Sequence, residues 1–313
     1  MRFPFTISIG SDYDAVGFGT NAVDFLIQVP EYPAFNSKIR LSQYIQAAGG
    51  EAASTMAGLS RLGLRTAYAG RFGADEAGIF GRRSLADDGV DLSYAETVAG
   101  ARTQVGFIVI DIRNGERTVI WDRDAALSYS AEEAPLASVK SCKVLHITPH
   151  DAAACVLMAR TAKAGGAIVS LDIDNVFDGV EELLEEVDIL IMSADFPGKF
   201  LGIEDRRSAV SEIAARFGAG VTGITLGEEG SLLLSGGEFI QTGSYKVPGG
   251  CKDTTGAGDA FRVGLLYGLL SGVEIEEAAE MANAVAALKC REIGARTALP
   301  DADELCQMII NGR

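Results

Sequence analysis

The second half of the chain alternates between short apolar segments and segments with helical periodicity, and this alternation constrains the fold more than any other feature. Four apolar segments have the length and composition of buried strands: "KVLHIT" (143–148), "AIVSLDID" (167–174), "DILIMS" (188–193) and "VTGITL" (221–226). Helical patterns separate them, at 151–166, 179–187 and 206–220. The alternation predicts an α/β fold, with a mostly parallel sheet between two layers of helices. Ligands of such folds bind in the loops after the carboxyl ends of the strands.

The N-terminal third follows a different pattern. Apolar and polar residues alternate within 23–46 and 103–122, which is typical of half-buried strands and unsuited to the middle of a parallel sheet. Asn114-Gly115 predicts a tight hairpin turn in the second segment. Between the two segments, "GGEAASTMAGLSRLG" (49–63) has the pattern of a helix. We therefore predict one domain over residues 1–313, with the inserted strands forming a small antiparallel lid.

A formal net charge of −16 limits the partners of this chain. Nucleic acid and anionic membrane surfaces require a cationic face, so neither is expected as a partner. The five cysteines form no C-x-x-C pair and are odd in number, which favours reduced thiols. No signal-peptide pattern opens the sequence, and no apolar run reaches the length of a membrane span. The sequence predicts a cytoplasmic protein.

The segment "GGCKDTTGAGDAF" (249–261) places small residues and two aspartates directly before a long apolar helical pattern. Gly256-Ala257-Gly258 is expected at the N-terminus of that helix, where free N–H groups and the helix dipole can hold an anion. Asp259 falls in the first turn, beside that anion. The dipole is expected to favour the ionised form of Asp259 and to make it a weak base, which the loose transition state of phosphoryl transfer tolerates. The alternative is an aspartate that only caps the helix.

The same segment resembles the C-terminal signature of the ribokinase-type (PfkB) carbohydrate kinases, through "DTTGAGDAF". Four other segments are similar to family motifs and follow in the family's order: "AGGEAASTMAGLSRLG" (48–63), "GRFGADEAG" (70–78), "GERTVI" (115–120) and "TLGEEG" (225–230). One short motif would be weak, but five in order are specific. The resemblance implies the ribokinase-like three-layer α/β/α fold with a β lid, ATP and Mg²⁺ as cofactors, and phosphoryl transfer to a sugar.

The resemblance also implies roles for individual residues. Asp259 would be the catalytic base, with the backbone of Gly256, Ala257 and Gly258 as anion hole. The sugar site would comprise Asp24, Lys38, Gly49, Gly50 and Ser54, and the nucleotide site Thr225, Gly227, Gly230 and Asn283. The carbonyls of Asp253, Thr255 and Gly294 match loops that bind a monovalent cation, which implies K⁺ activation. Ordinary structural roles are the alternatives for Asp24, Lys38, Asn283 and the double glycine.

Two positions depart from the family pattern. Many members have an asparagine four residues after the second glycine, where this chain has Ser54. The family's N-x-x-E element, which is associated with magnesium and phosphate placement, reads "SADF" at 193–196. Asp195 or Asp174 would take over that role, or each could be a plain loop residue. The segments "GGEAAST" and "NAVAALKCREIGA" look closest to the branch that contains ketohexose and sulfofructose kinases.

Single features of the sequence are compatible with other functions. "GFGTNA" (17–22) fits a dinucleotide-binding fingerprint, but that motif must open a helix and a strand pattern follows it. His146 and His150 are four residues apart, but Pro149 between them prevents a shared helical face for a metal ion. Trp121 would either stack on a substrate or pack. The altered N-x-x-E element leaves open a sensor that binds a sugar or nucleotide without turnover.

Together these patterns predict an ATP-dependent kinase that transfers the γ-phosphoryl group to a primary hydroxyl of a ketohexose, pentose or related sugar. A nucleoside is the alternative acceptor. Exposed edges on the alternating lid strands predict a homodimer formed through the lids. The sequence does not identify the sugar, because specificity rests on a few lid and loop side chains whose positions it does not reveal.

Overall fold

The computed structural model describes residues 1–113 and 117–312, so the predicted Asn114-Gly115 turn lies outside the described residues. The strands are β1 (Tyr13–Phe18), β2 (Ala22–Val29), β3 (Gln43–Gly49), β4 (Thr66–Ala69), β5 (Arg71–Gly73), β6 (Glu96–Val98), β7 (Val105–Asp111), β8 (Arg117–Asp122), β9 (Cys142–Ile147), β10 (Ile168–Ile173), β11 (Ile189–Ser193), β12 (Val221–Thr225), β13 (Ser231–Ser235) and β14 (Glu238–Thr242). The helices are α1 (Glu51–Arg61), α2 (Glu76–Asp87), α3 (Ala152–Ala164), α4 (Val180–Leu184), α5 (Phe196–Leu201), α6 (Arg206–Phe217), α7 (Ala257–Ser271), α8 (Ile275–Lys289) and α9 (Ala302–Asn311).

An eight-stranded sheet forms the centre of the molecule, in the order β14-β13-β12-β11-β10-β9-β1-β4. The strands from β12 to β4 in this order are parallel to one another, whereas β13 and β14 are added antiparallel at one edge. The four strands predicted after residue 140 are β9 to β12, and the predicted helices between them are α3, α4 and α6. The prediction of a mostly parallel α/β sheet is confirmed.

Both faces of this sheet are covered by helices, which makes the fold three-layered. Because successive strand side chains point to opposite faces, neighbouring residues of β9 enter different cores. Val144 belongs to a core shared with α1, α7 and α8, and Leu145 to a core shared with α3, α4 and α6. The strands are apolar on both sides for this reason. Because β10, β11 and β12 are parallel neighbours, their carboxyl ends lie side by side at the same end of the sheet.

A second sheet of four strands has the order β3-β2-β7-β8, and we call it the lid sheet. Its outer pairs are antiparallel, whereas the middle pair, β2 and β7, is parallel. Pro30 cannot donate a ladder hydrogen bond, and β2 ends before it at Val29. Pairing with β3 begins only at Gln28 and Gln43, so the strand pattern predicted over 38–42 belongs to a connection.

The two faces of the lid sheet have different surroundings. Leu26, Ile108 and Ile110 are buried on one face and pack against Ile293. On the other face the rings of Tyr44, Phe25 and Phe107 form a stack, with neighbouring centroids 5.9 and 5.1 Å apart. Tyr44 and Phe107 remain about half exposed on this aromatic face.

Two further observations bear on the competing interpretations. The segment 17–22 joins the end of β1 to the start of β2, so the dinucleotide-like "GFGTNA" does not open a helix. Among the helices of the described residues, none combines the length and apolar composition required to cross a membrane.

Candidate active site

A cavity of about 580 Å³ lies between the carboxyl edge of the central sheet and the lid sheet. Its volume is in the range of small-molecule sites, which is roughly 300–1,000 Å³. The central sheet contributes Asp174 after β10, Ser193 at the end of β11 and Thr225 at the end of β12. The lid sheet contributes Asp24 and Trp121, and the first turn of α7 contributes Asp259. The structure therefore brings the predicted sugar-binding residue Asp24 and the predicted base Asp259 into one cavity.

The start of α7 has the geometry of an anion site. Gly256 precedes the helix with φ of 76°, and a Cβ atom at this position would lie 2.8 Å from the Cβ of Ala295. Only glycine fits both restrictions. Gly256 and Gly258 line the cavity, but the Ala257 N–H donates to the Thr254 carbonyl at 3.1 Å and closes the preceding turn. Of the three predicted anion-hole residues, Gly256 and Gly258 are therefore the ones that face the cavity.

Asp259 is placed in this first turn, but its acidity differs from the expectation. Burial raises the pKa of Asp259 to about 7, the neighbouring Asp172 carboxylate acts in the same direction, and Arg262 and Arg296 oppose them. The expectation that the helix dipole favours the ionised form of Asp259 and makes it a weak base was wrong, because desolvation and a like charge outweigh the dipole. A carboxylate with a pKa near neutrality is better suited to accept a proton.

A buried ion pair that the sequence did not predict, between Arg262 and Asp172, acts on Asp259. Arg262, one helical turn further along α7, contacts Asp172 with an Nη2–Oδ1 distance of 2.5 Å and donates to the Ile191 carbonyl at 3.0 Å. Burial raises the pKa of Asp172 to about 6 against the effect of Arg262. The signal for this pair was an arginine within the apolar pattern "FRVGLL", three residues after Asp259.

Glu51 is a second functional candidate that the sequence reading did not single out. It is the first residue of α1, directly after the double glycine, and it lines the cavity. The Thr20 hydroxyl donates to Glu51 Oε2 at 3.2 Å, and His150 Nδ1 lies 3.9 Å from the same oxygen. Burial and the Asp172 carboxylate raise the pKa of Glu51 well above its usual range. An acidic residue at the opening of a helix beside a glycine pair was the available signal.

Asp24 lies on the lid side of the cavity in a space made by two glycines. A Cβ atom on Gly49 would lie 2.1 Å from Asp24 Oδ2, and one on Gly106 would lie 2.7 Å from Oδ1. Burial raises the pKa of Asp24 to about 6, and Arg296 opposes this shift. The first glycine of the double-glycine motif thus makes room for a carboxylate. Gly50, with φ of 87°, is the one that lines the cavity.

Ser54 and Lys38 lie outside the set of cavity-lining residues. Ser54 is fully buried, and its hydroxyl accepts a hydrogen bond from Arg296 Nε at 3.2 Å. Arg296 also donates through Nη2 to the Gly49 carbonyl, so it connects the loop after α8 to the double glycine. Lys38 is exposed in the connection between β2 and β3. Arg296 was missed because nothing in its local sequence reveals a buried cation.

The predicted nucleotide residues are only partly brought together. Thr225 lines the cavity, whereas Gly227 and Gly230 lie in the turn between β12 and β13. Asn283 is buried in α8, and its amide donates to Ser231 Oγ, Thr242 Oγ1 and the Ala279 carbonyl at 3.1, 2.8 and 2.9 Å. The structure places the Asn283 amide in the protein interior, and a role in nucleotide binding stays a prediction.

The oxygen ligands available for Mg²⁺ lie at the ends of β10 and β11. Asp174, Asn175 and Ser193 line the cavity, whereas Asp195 precedes α5 and does not. No group of three or more histidine, cysteine or acidic side chains forms a closed metal site within the described residues. Mg²⁺ that accompanies a nucleotide needs only one or two carboxylates, because phosphates and water complete its coordination. Asp174 fits this requirement.

The predicted loops for a monovalent cation contain an unexpected side chain. The Lys289 ammonium donates to the Asp253 carbonyl at 2.8 Å, so a K⁺ ion bound to the same carbonyl would lie next to a second positive charge. The Asp253 carboxylate accepts the N–H groups of Thr255 and Gly294 at 2.9 and 2.8 Å. The residues present do not fit a K⁺ site formed by these three carbonyls.

Of the remaining candidates, Trp121 and His150 line the cavity, whereas His146 does not. Trp121 lines the cavity and is 60% exposed, so it does not pack into the core. His146 is buried in the central sheet beside Ser170, with an Nδ1–Oγ distance of 3.2 Å. His150 lines the cavity, and burial lowers its pKa.

Comparison with known proteins decides the family. The pfkB family carbohydrate kinase model matches residues 14–302. The chain belongs to the pfkB family of carbohydrate kinases. It is therefore a phosphotransferase with an alcohol group as acceptor, and the resemblance seen in its motifs is confirmed over most of its length.

The relatives of this pfkB kinase include enzymes for sugars and for nucleosides. It is 27% identical to a nucleoside kinase of Methanothermobacter thermautotrophicus over 95% of each chain. It is also 27% identical to a ribokinase of Haemophilus influenzae, over 93% of this chain and 96% of that one. A structure of Arabidopsis thaliana ribokinase complexed with ribose and ATP superposes with a TM-score of 0.81, at 24% identity, over 95% of this chain and 98% of that one. The ribokinase-like fold is thereby confirmed.

Proposed function

We propose that this pfkB kinase transfers the γ-phosphoryl group of ATP to a primary hydroxyl of a sugar. The acceptor oxygen attacks the γ-phosphorus, its proton passes to the Asp259 carboxylate, and the bond to the β–γ bridging oxygen breaks to release ADP. The amides of Gly256 and Gly258 are proposed to hold the charge that develops on the phosphoryl oxygens. The observation that carries this proposal is that Asp259 and the two glycines of the α7 N-terminus face the same cavity as Asp24.

Asp174 is proposed to hold Mg²⁺ together with the nucleotide phosphates. Its position after β10, next to Asn175 and Ser193, supplies the oxygen ligands that Mg²⁺ prefers. When bound, the ion neutralises charge on the β- and γ-phosphates. Asp195 is the weaker alternative, because it does not line the cavity.

The charges along the cavity favour an acceptor without a phosphate or carboxylate group. Asp24 and Glu51 line the cavity and are proposed to accept hydrogen bonds from sugar hydroxyls. Among the described lining residues the arginines are Arg117, which donates to the Thr254 hydroxyl, and Arg262, which is paired with Asp172. Arg262 is neutralised by Asp172, whereas Arg117 donates to a neutral hydroxyl and keeps its charge, so an anionic acceptor would meet one arginine and the more numerous carboxyl groups of Asp24, Glu51 and Asp174. The proposed acceptors are therefore neutral ketohexoses, pentoses or related sugars.

A nucleoside is a second candidate acceptor. Trp121 on β8 and Phe177 after β10 both line the cavity, and an aromatic face can stack on a base. The similarity to a nucleoside kinase over 95% of the chain agrees with this candidate.

The test is a measurement of ADP release from MgATP with a panel of neutral sugars and nucleosides. Each sugar is paired with a phosphorylated analogue, for example fructose with fructose 6-phosphate, and the phosphorylated position is identified by ³¹P NMR. Phosphorylation of a primary hydroxyl on a neutral acceptor supports the proposal. Preference for the anionic analogue contradicts the neutral-acceptor proposal. Binding of sugar and nucleotide without turnover supports the sensor that the sequence left open.

The aromatic face of the lid sheet supports a homodimer in which two lids pack together. Tyr44, Phe107 and Ile120 on this face are about half exposed, whereas Leu26, Ile108 and Ile110 on the opposite face are buried. Covering this apolar surface with a second copy would remove it from water. Light scattering tests the proposal, because Phe107→Asp is expected to convert a dimer into a monomer, whereas Ile79→Asp, at an exposed position of α2, is not. A monomeric wild type contradicts it.

We further propose that the protein is cytoplasmic. The five cysteines are free, and Cys142, Cys155 and Cys290 among them are buried, which agrees with a reducing compartment. Fractionation of the native cells tests this location directly.

A further inference from the structure

The end of α8 carries a charged side chain in a place where charges are rarely found. Lys289 is fully buried, and its ammonium lies between the loop before α7 and the loop after α8. It donates to the Asp253 carbonyl at 2.8 Å and lies 3.7 Å from the Asp253 carboxylate. Burial of an ammonium is unfavourable unless the group is paired and hydrogen-bonded, and an apolar side chain would avoid this penalty. The presence of a lysine at this position therefore indicates that its positive charge has a role there.

Asp253 connects this charge to the anion hole. Its carboxylate holds the N–H groups of Thr255 and Gly294, which fixes the loop before α7 against the loop after α8. The Lys252 N–H donates to the Cys290 carbonyl at 2.9 Å and adds a second link between the same loops. Gly256 follows Asp253 by three residues, so the loop that the ammonium organises leads directly into the anion site.

We propose that Lys289 is a built-in monovalent cation, whose ammonium replaces the K⁺ that the carbonyl loops would otherwise bind. An ammonium and a potassium ion carry the same charge, and both are bound by carbonyl oxygens. Lys289 is thus a positioning residue: it holds the loop that presents Gly256 and Gly258 without touching substrate. The enzyme consequently needs no added monovalent cation.

Burial at this site favours loss of the proton, but the pairing with Asp253 opposes it. Burial lowers the pKa of Lys289, and the Asp253 carboxylate raises it. Arg117 acts in the same direction as burial, and the thiols of Cys290 and Cys251 act with Asp253. The hydrogen bond to the Asp253 carbonyl requires an N–H donor, and Lys289 Nζ is that donor.

The first experiment measures how the rate of the wild type depends on monovalent cations. It rests on the proposed kinase function, because that rate is the readout. Rates are compared in tetramethylammonium chloride and in KCl, each at about 100 mM. The proposal predicts rates within about twofold of each other. Activation by K⁺ of more than about twofold overturns it.

The second experiment removes the ammonium. Lys289→Ala is expected to lose at least about tenfold in kcat in tetramethylammonium buffer, because the anion hole loses its support. Addition of KCl or NH₄Cl is expected to restore at least a third of the wild-type rate, since either ion can enter the vacated space. A slow variant that no cation rescues shows an ordinary structural lysine and overturns the proposal, as does a variant that keeps full rate without cation.

Lys163→Ala is the matched control. This lysine also makes ion pairs, to Glu186 and Asp188 at 3.7 and 4.0 Å, but it lies at the end of α3 outside the cavity. Its removal is expected to change neither the rate nor the cation dependence. If Lys289→Ala does not fold, Lys289→Met replaces it for a side chain of similar length, and the wild-type comparison remains decisive.

Thermal unfolding supplies a readout that does not require catalysis. The melting temperature of Lys289→Ala is expected to rise by about 2 °C or more when KCl replaces tetramethylammonium chloride, because a ligand of the folded state stabilises it. The wild type is expected to show no such difference. A wild type without activity toward any acceptor contradicts the proposed function, whereas the melting temperatures still decide the role of Lys289.

Discussion

The α7 wall of the cavity, formed by the N-terminus of α7, takes both the amides proposed to bind the anion and the proposed base from residues 256–259, four neighbours in the chain. The lid wall is assembled differently: Asp24 lies on β2, and the space for its carboxylate comes from Gly49 on β3 and Gly106 on β7. Arg296, which holds the Gly49 carbonyl, follows α8. A helix N-terminus provides an anion site by itself, whereas the lid wall depends on the register of three strands. We therefore expect the α7 wall to determine the rate of phosphoryl transfer and the lid wall to determine which acceptor binds.

The largest effect is expected on the α7 wall. Asp259→Asn removes the proposed proton acceptor while its size and burial are kept, so kcat should fall by ~10²–10⁴-fold. Calorimetric binding of acceptor and of an ATP analogue should stay within a few fold of wild type. Asp87→Asn, an exposed residue at the end of α2, serves as the control. Unchanged turnover in Asp259→Asn would remove this residue from the mechanism.

The lid wall should respond in the specificity for the acceptor. Asp24→Ala removes a buried carboxylate that is proposed to accept sugar hydroxyls, and hydrogen bonds to charged groups contribute ~1.5–3 kcal/mol. Steady-state kinetics should show a loss of roughly 10–100-fold in kcat/KM for the acceptor, with KM for ATP unchanged. An equal rise in KM for ATP would show that the two walls do not divide the work in this way.

A substitution beside Asp24 tests whether the glycines serve its carboxylate. Gly49→Ala would place a Cβ atom 2.1 Å from Asp24 Oδ2, so the carboxylate must move, and kcat/KM for the acceptor should fall by about tenfold. In an Asp24→Ala background the same substitution should add little, because contacting residues are not additive. Gly198→Ala in α5, where the nearest atom is 4.0 Å away, is the control. Additive losses would contradict the link between Gly49 and Asp24.

The smallest effect is expected from a change of pH from 6 to 7, which raises the ionised fraction of a group with a pKa of about 7 by about fivefold. Burial raises the pKa of Asp259 to about 7 from an ordinary value of 3.8, so kcat/KM should rise with pH up to about 7 as the base loses its proton. The folded state then binds this proton more tightly than the unfolded state. The stability that Asp259 contributes is present below pH of about 4 and is lost as the pH rises to about 7.

Thermal unfolding of the ligand-free protein checks this sign. Asp24 and Asp172, whose pKa values burial raises to about 6, act in the same direction as Asp259. The melting temperature of Asp259→Asn should therefore fall less than that of wild type between pH 5 and pH 8. A steeper fall in the variant would show that the pKa of Asp259 is not raised in the folded protein.

The fold and the α7 wall could be read from the sequence because their signals are local. Strand and helix periodicity predicted four of the eight strands of the central sheet, β9 to β12, and Gly256 and Gly258 before an apolar helix indicated the anion site. The lid strands were recognised from their alternation, but the parallel pairing of β2 and β7 was not, since pairing depends on segments that are distant in the chain.

Other features were decided only by the tertiary structure. Lys289 and Arg296 look like ordinary helix or loop residues in the sequence, and the arginine in "FRVGLL" does not reveal its partner, yet all three are buried cations with partners far away in the chain. The pKa of Asp259 shows the physical reason. The helix dipole is a local property and favours ionisation, whereas burial and the Asp172 carboxylate arise from packing and oppose it more strongly. The sequence thus determined where the proposed base lies, and the packing around it decided how strongly it holds a proton.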